Sequence, residues 1–328
     1  MPTLLDAQGN SNPKAFARLT PEPYASATQI GVDNALMLAG AARGPSFATS
    51  GEEVHAYTFA TVIGGWNRLG DDAARGVSAP DSRSYGFLGG IGVGDKRWNA
   101  GAFGGYLNNR QSIDTLDAAT RAEGFVAGVQ ARFAADNGFG VNAAIFYTGS
   151  KARTGRSLAG GFDARGRYDL DSWVTDVSVS YGVDVMSDLA VRPHAGLTYV
   201  RTTRGDLEEA GGSPFALTVA RDRHVAGFAD TGIHFGRSAA SIAAFRPFVS
   251  LGARYQIEGR RADALAGYSG AGLGLVAVGA QRASLVGTVA AGIDCRLTET
   301  LGIFATAASQ TGRDDHQETV SAGVRMRF

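Results

Sequence analysis

Residues Glu318–Phe328 read ETVSAGVRMRF. Val320, Ala322, Val324, Met326 and Phe328 are apolar at every second position, and Ser321, Gly323, Arg325 and Arg327 stand between them. A period of two marks a β-strand with one apolar and one polar face. The apolar face finishes on a phenylalanine at the last position of the chain. Such a strand needs a neighbour for its backbone groups, so the rest of the sequence must supply a sheet that it can join.

The same alternation recurs upstream. In RSYGFLGGIGVGD (83–95), Tyr85, Phe87, Ile91 and Val93 share one face, with Ser84, Gly86, Gly90 and Gly92 on the other. Phe125, Ala127, Val129, Ala131 and Phe133 oppose Gly124, Gly128, Gln130 and Arg132. Trp173, Val177, Val179, Tyr181, Val183 and Val185 oppose Asp176, Ser178, Ser180 and Asp184. Phe245, Val249, Leu251, Tyr255 and Ile257 oppose Ser250, Arg254, Gln256 and Glu258. Strands of a soluble sandwich usually run about 5 to 6 residues. A tilted strand that crosses a bilayer needs about 9 to 11, and these runs reach or exceed that figure. Tyr85, Trp173, Tyr199 and Tyr255 sit towards strand ends, as aromatic girdles do at membrane interfaces.

Twelve strands can be placed, near residues 54–67, 83–94, 97–110, 121–134, 138–151, 165–185, 189–203, 223–237, 245–259, 281–295, 299–309 and 317–328. Their connections sort by length. The second, fourth, sixth and tenth are tight (GDKR, ADNG, MSDL, RLTET), and the eighth, RSAASIAA, is somewhat longer. The first, third, fifth, seventh and ninth are longer and polar or glycine-rich, as in LGDDAARGVSAPDS (69–82) and TRGDLEEAGGSPFALTVARDR (203–223). Short turns at one end and long loops at the other are the outer-membrane pattern. The expected fold is therefore all-β, a twelve-stranded antiparallel transmembrane β-barrel over residues 52–328. Polar residues facing inward by parity are Arg132, Asp176, Asp184, Arg254 and Glu258, which suits a wet or partly filled lumen.

Composition agrees. The 328 residues carry 31 Lys+Arg and 31 Asp+Glu, so nothing favours a nucleic-acid partner or a polybasic anchor. One cysteine, Cys295, allows neither an internal disulfide nor a thiolate metal cluster. There is no run of about 18 apolar residues for a membrane helix, and the first residues, MPTLLDAQGNSNPKAF, lack the pattern of a secretory signal.

Before the first strand stands AFARLTPEPYASATQIGVDNALMLAG (15–40). Thr20, Pro21 and Pro23 make a helix start, and GAARGP (40–45) makes a stop. A helix from Glu22 to Ala42 is about 30 Å long, the thickness of a bilayer core. It carries Gln29, Asp33 and Asn34 among small residues such as Ala25, Ser26, Ala27, Gly31, Ala35 and Ala39. A slim polar rod of that length belongs inside a water-filled barrel, facing inward Gly and Ser, rather than against lipid.

This order of slim helix, twelve strands and terminal phenylalanine resembles the translocator β-domain of autotransporters (type V secretion), over residues 13–328. Leu19, Thr20, Glu22, Tyr24, Ala25 and Ser26 match the start of that family's linker, an L-[ST]-x-E-x-Y-A-S pattern. The resemblance implies an outer-membrane protein of a Gram-negative bacterium, a monomeric barrel that exports its own N-terminal passenger to the cell surface. It implies that the barrel-assembly machinery reads Val320, Ala322, Val324, Met326 and Phe328, and that outer-membrane lipids surround the barrel. Residues 20–44 become the pore-plugging linker, and residues 1–19 a passenger remnant or an added leader, with the origin of Met1 left open. Some members cut themselves at an asparagine pair. Here Asp33–Asn34 stands instead, so self-cleavage is not expected.

No cofactor, metal site or enzymatic activity is expected. A nucleotide loop is absent, and His55, His194 and His234 have no paired metal-ligand spacing. The alternatives are a small outer-membrane pore, an adhesin or a surface-active barrel enzyme. For an enzyme, the candidate cluster is Asp314, Asp315 and His316 in the last outward loop, with His224 approaching it as a carboxylate-oriented base would.

Overall fold

A computed structural model describes residues 4–5, 8–47, 53–186, 188–237 and 244–328. Most of the eighth connection and Met1 lie outside the described residues. Twelve antiparallel strands run β1 His55–Leu69, β2 Asp81–Gly94, β3 Trp98–Ile113, β4 Ala118–Ala134, β5 Phe139–Ser157 and β6 Asp163–Tyr181. They continue as β7 Leu189–Arg204, β8 Asp222–Arg237, β9 Phe245–Glu258, β10 Leu285–Arg296, β11 Leu301–Gly312 and β12 Asp315–Arg327. Each pairs with its neighbours in sequence, and β12 pairs with β1 from Tyr57↔Arg327 to Leu69↔Asp315. The sheet closes on itself and leaves no edge to face lipid. No described helix is long and apolar enough to cross a membrane.

The outer face carries a regular apolar band. Trp98 and Tyr106 on β3, Phe125 and Phe133 on β4, Phe139 and Tyr147 on β5, and Trp173 and Tyr181 on β6 all point outward. In each pair the two aromatics are eight residues apart. Eight steps of about 3.3 Å, tilted by about 40°, give roughly 20 Å, close to the apolar height of outer-membrane barrels. Tyr147 bridges Phe125 and Trp173, with ring centroids 5.6 and 5.1 Å apart. At the tip of the β2–β3 turn, the amides of Trp98 and Arg97 donate to Asp95 (2.9 and 2.7 Å), which holds its carboxyl below the usual range.

Inside stands α2, Glu22–Arg43, preceded by a short α1, Pro13–Ala17. The Glu22 amide donates to Thr20 Oγ1 (3.2 Å) at its start. Every residue from Glu22 to Ala39 is buried. The lumen differs from the water-filled space expected. Its short-turn half is a dry core in which Leu36, Met37 and Leu38 meet Val126, Val174, Val200 and Phe228. Phe47, just past the helix, packs edge-on against Phe59 and Phe103 at centroid distances of 4.6 and 5.5 Å. Inward glycines make room for these rings: a Cβ on Gly90 would lie 2.4 Å from Phe59.

Two inward assignments are corrected. Asp184 is exposed, because β6 stops at Tyr181 and Val183–Met186 forms a separate short strand against Leu189–Val191. Glu258 is exposed as well. Gly227 pairs with Glu258 but Phe228 with Gln256, so Ile257 is an extra residue in a bulge and parity flips beyond it. Buried Gln256 holds the inward position instead.

The long loops are not simple surface connections. Leu207–Glu208, Leu217–Val219, Asp263–Tyr268 and Leu275–Val278, from the seventh and ninth connections, form a second antiparallel sheet. Its Leu207, Leu217, Val219, Ala264 and Ala266 pack on Tyr24, Ala25, Ala27 and Ile30 of α2. Period-two runs of two to six residues are too short to be read from the sequence.

Candidate functional site: the helix-filled lumen

The helix is held at three levels, and its direction follows from the partners. At the long-loop end Glu22 accepts the amide of Ser78 (2.6 Å), in the first long loop. Arg18, just before the helix, pairs with Asp117 of the third connection (3.0 Å). At the short-turn end the chain leaves the helix at Gly44, and Arg325 on β12 donates to the Pro45 carbonyl.

The outer level is a buried ion pair. Arg156 on β5 meets Glu209 of the seventh connection through Nε–Oε1 (2.7 Å) and Nη2–Oε2 (2.6 Å), with side chains 1% and 0% exposed. Arg156 Nη1 also donates to the carbonyls of Arg18 and Thr20, both at 3.0 Å. Glu209 accepts from the Tyr24 hydroxyl (2.5 Å) and from the Leu217 amide (2.8 Å). Two fixed charges thus grip the residues that lead into the helix, and every lone pair or proton they use has a partner. Tyr24 also lies edge-on to Tyr168, 5.7 Å away. Ala25 and Ser26 meet the backbone of Gly279, where an added Cβ would lie 3.0 Å from them. The Ser26 carbonyl accepts from Gln111 (3.1 Å). Gln29 is buried, and neither of its side-chain polar atoms has a hydrogen-bond partner among the described residues.

In the middle, Asp33 is bound by Asn67 of β1 (2.5 Å) and by Arg282 of the ninth connection, which also lies 3.8 Å from Asp315. Asn34 accepts from Ser84 on β2 (3.2 Å). On the opposite side Gly31 touches the wall directly. A Cβ there would stand 2.6 Å from Ser172 Oγ and 2.7 Å from Thr202 Cγ2, so this contact needs a glycine.

At the inner level Arg43 forks onto Asp176 (2.9 and 2.7 Å) and reaches Asp230 (2.8 Å). Thr198 also donates to Asp176 (2.7 Å). Arg132 donates to the Arg43 and Gly44 carbonyls (2.9 and 3.3 Å), placing a cation at the negative end of the helix dipole. Of the inward polar residues expected, Arg132 and Asp176 touch the helix or its end. Arg254 bonds Gln310 across the wall (2.7 Å) instead.

Five residues central to this grip were not singled out from the sequence: Arg43, Arg156, Glu209, Asp230 and Arg282. Arg156 and Asp230 do follow the inward parity of their strands, and a cation in the last turn is the expected partner of a helix C-terminus. Glu209 and Arg282 lie in loops where periodicity carries no information.

On β12, Val320, Ala322, Val324, Met326 and Phe328 all face outward and are exposed. They pair with β1 through Gly64↔Val320, Val62↔Ala322, Ala60↔Val324 and Thr58↔Met326, and the Phe328 amide donates to the Ala56 carbonyl (2.9 Å). The candidate acid–base cluster is not assembled. His316 is exposed on the outer face and His224 is buried inside, with three strands between β8 and β12. Asp315 turns inward onto the Ala283 amide (3.0 Å), and Asp314 occupies the positive-φ corner of the turn. No group of three potential metal ligands occurs among the described residues.

A family model described as Autotransporter beta-domain matches residues 58–308. Solved structures with the same fold include the translocator domain of the autotransporter NalP from Neisseria meningitidis, at TM-score 0.75 and 13% identity, covering 94% of this chain and 100% of that one. The transport unit of AIDA-I from Escherichia coli gives TM-score 0.67 and 15% identity, covering 94% and 99%. The β-domain of the Bordetella autotransporter BrkA gives 0.58 and 15%, covering 83% and 99%. No curated protein matches the chain.

Proposed function

The chain belongs to the autotransporter β-domain family, and from that premise we propose that it is an outer-membrane translocator that delivers a passenger, attached ahead of its own helix, to the cell surface. The observation that carries this reading is the direction of α2. In outer-membrane barrels the short turns face the periplasm and the long loops face outside. The helix begins among the long loops and ends near the short turns, where β1 starts. Whatever precedes Glu22 therefore emerges on the outside, while every strand is threaded from the inside. The chain passes through the lumen once, in the sense that export requires.

Residues 20–44 act as the linker that remains as a plug, residues 52–328 as the translocator, and residues 1–19 as passenger remnant or leader. The three charged levels explain why the plug stays: two buried clamps hold its ends, and Asp33 and Gly31 fix its rotation. The barrel works as a monomer in a Gram-negative outer membrane, and the assembly machinery engages the closing strand through Val320, Ala322, Val324, Met326 and Phe328. The lining residues serve packing and charge balance, and no catalytic step belongs to this reading.

The test is a secreted fusion with an epitope tag ahead of residue 1, expressed in a Gram-negative host and challenged with protease on intact cells. Cleavage of the tag while the barrel stays folded is expected. A folded, inserted barrel whose tag remains protected would overturn the proposal.

A further inference from the structure

The outer wall carries a charge pattern that export does not use. Arg83 pairs with Arg110, Arg110 with Arg121, Arg121 with Arg153, and Arg153 with Arg167, so five arginines stand directly opposite one another on β2 to β6. All five are exposed and face outward. Directly opposed residues have Cβ atoms about 5 Å apart, and like charges there destabilise a sheet. None of the five makes an ion pair among the described residues. The nearby carboxylates contact other groups: Asp169 pairs with Lys151 (2.5 Å), while Glu123 and Asp171 accept from the Tyr106 and Tyr147 hydroxyls (3.2 and 2.9 Å). Three acids thus stand near five arginines and a lysine and leave the row with excess positive charge.

Their height identifies the missing countercharge. Arg83 lies two residues beyond the aromatic belt at Tyr85. Arg110 and Arg121 lie four beyond Tyr106 and Phe125, and Arg153 and Arg167 six beyond Tyr147 and Trp173. On strands tilted by about 40° this is about 5 to about 15 Å above the belt. A phospholipid headgroup layer is only about 5 to 7 Å deep, so its single plane of phosphate cannot serve the whole row. Guanidinium forks suit phosphate in bidentate geometry.

We propose that this row is a docking surface for the phosphate groups of a phosphorylated glycolipid in the outer leaflet, one whose thick headgroup carries phosphate at more than one depth. The orientation rests on the translocator reading above. The arc covers four strand spacings, about 19 Å, and binds lipid on one side of the barrel only.

The test uses the full chain in neutral detergent, titrated with lipopolysaccharide that carries lipid A and core phosphates, with the same glycolipid after dephosphorylation, and with phosphatidylglycerol. Arg110→Gln/Arg121→Gln/Arg153→Gln is compared with the unaltered chain. Three lost cations should weaken binding of the phosphorylated glycolipid on the order of 100-fold. Dephosphorylation should do the same to the unaltered chain, and phosphatidylglycerol should bind at least tenfold more weakly. Without lipid the variant should melt no lower than the unaltered chain, because like-charge repulsion is relieved. Equal binding by the variant, equal binding of the dephosphorylated glycolipid, or equally tight phosphatidylglycerol would overturn the proposal. The variant should still expose an N-terminal tag on cells, so a failure here and a failure of export are read separately.

Discussion

Replacing Arg156 by glutamine tests whether the outer clamp holds the plug. Arg156 and Glu209 are buried together, and the arginine supplies two hydrogen bonds to the carboxylate and two to the carbonyls of Arg18 and Thr20. Glutamine is too short to reach either set. With the helix seated, Glu209 would keep the Tyr24 hydroxyl and the Leu217 amide but lose its one ion-pair partner among the described residues. Breaking one side of a buried pair costs about 3–5 kcal/mol. With the helix withdrawn, water would solvate the carboxylate and the penalty vanishes. The seated-to-withdrawn ratio should therefore fall by about 100- to 3,000-fold. Single-channel conductance in a planar bilayer reads it, because the seated helix fills the lumen and its withdrawal would widen the path for ions. The unaltered chain should open rarely and Arg156→Gln often. The double variant Arg156→Met/Glu209→Leu should return to within about tenfold of the unaltered chain, since removing both charges also removes the desolvation penalty. An Arg156→Gln channel that stays shut, or a double variant as open as the two single changes combined, would refute the reasoning.

Other expectations follow from the same geometry. Gly31→Leu forces a side chain into Ser172 and Thr202; overpacking by about 1–3 kcal/mol should lower the melting temperature and raise conductance together. Tyr24→Phe removes a charge-assisted hydrogen bond to Glu209, worth about 1.5–3 kcal/mol, and should raise channel opening 10- to 150-fold. Arg43→Ala strands Asp176 and Asp230 inside the wall and should destabilise the seated helix by at least 3 kcal/mol, while Arg43→Ala/Asp176→Asn recovers part of that in the same recording. Deleting Phe328 removes an outward ring and the bond to Ala56. It should leave more chain as the heat-insensitive, unfolded band on a cold SDS gel, with less of the tag exposed on cells.

How much was legible depended on the distance over which each signal acts. Alternation is local, so Tyr85–Val93 and Phe125–Phe133 declare their outward face without any knowledge of partners, and loop length sorts the two ends of the barrel. The helix was legible for the same reason, from Thr20, the two prolines and the uninterrupted run that follows. Parity fails where the backbone adds or drops a step. Ile257 bulges, so Glu258 turns out; Gly182 interrupts, so Asp184 does too. Contacts between distant segments leave no periodic trace. Glu209 meets Tyr24 across 185 positions and Arg282 meets Asp33 across 249. The dry half of the lumen was hidden because no strand contributes more than three inward apolar residues to it. Phe59, Phe103 and Phe146 become a core only when closure brings them together.

The pairing of β1 with β12 also sets a clock. Residues that meet across this seam, such as Tyr57 and Arg327, are separated by nearly the whole barrel sequence. The ring cannot shut until residue 327 is available, however early β1 is ready, and contacts of such long range are slow to form. During that interval β1 has a bare edge and α2 has no wall on one side. Assembly is therefore a race between finishing the circle and losing an open sheet to its neighbours, and the pairing that closes the ring decides the outcome.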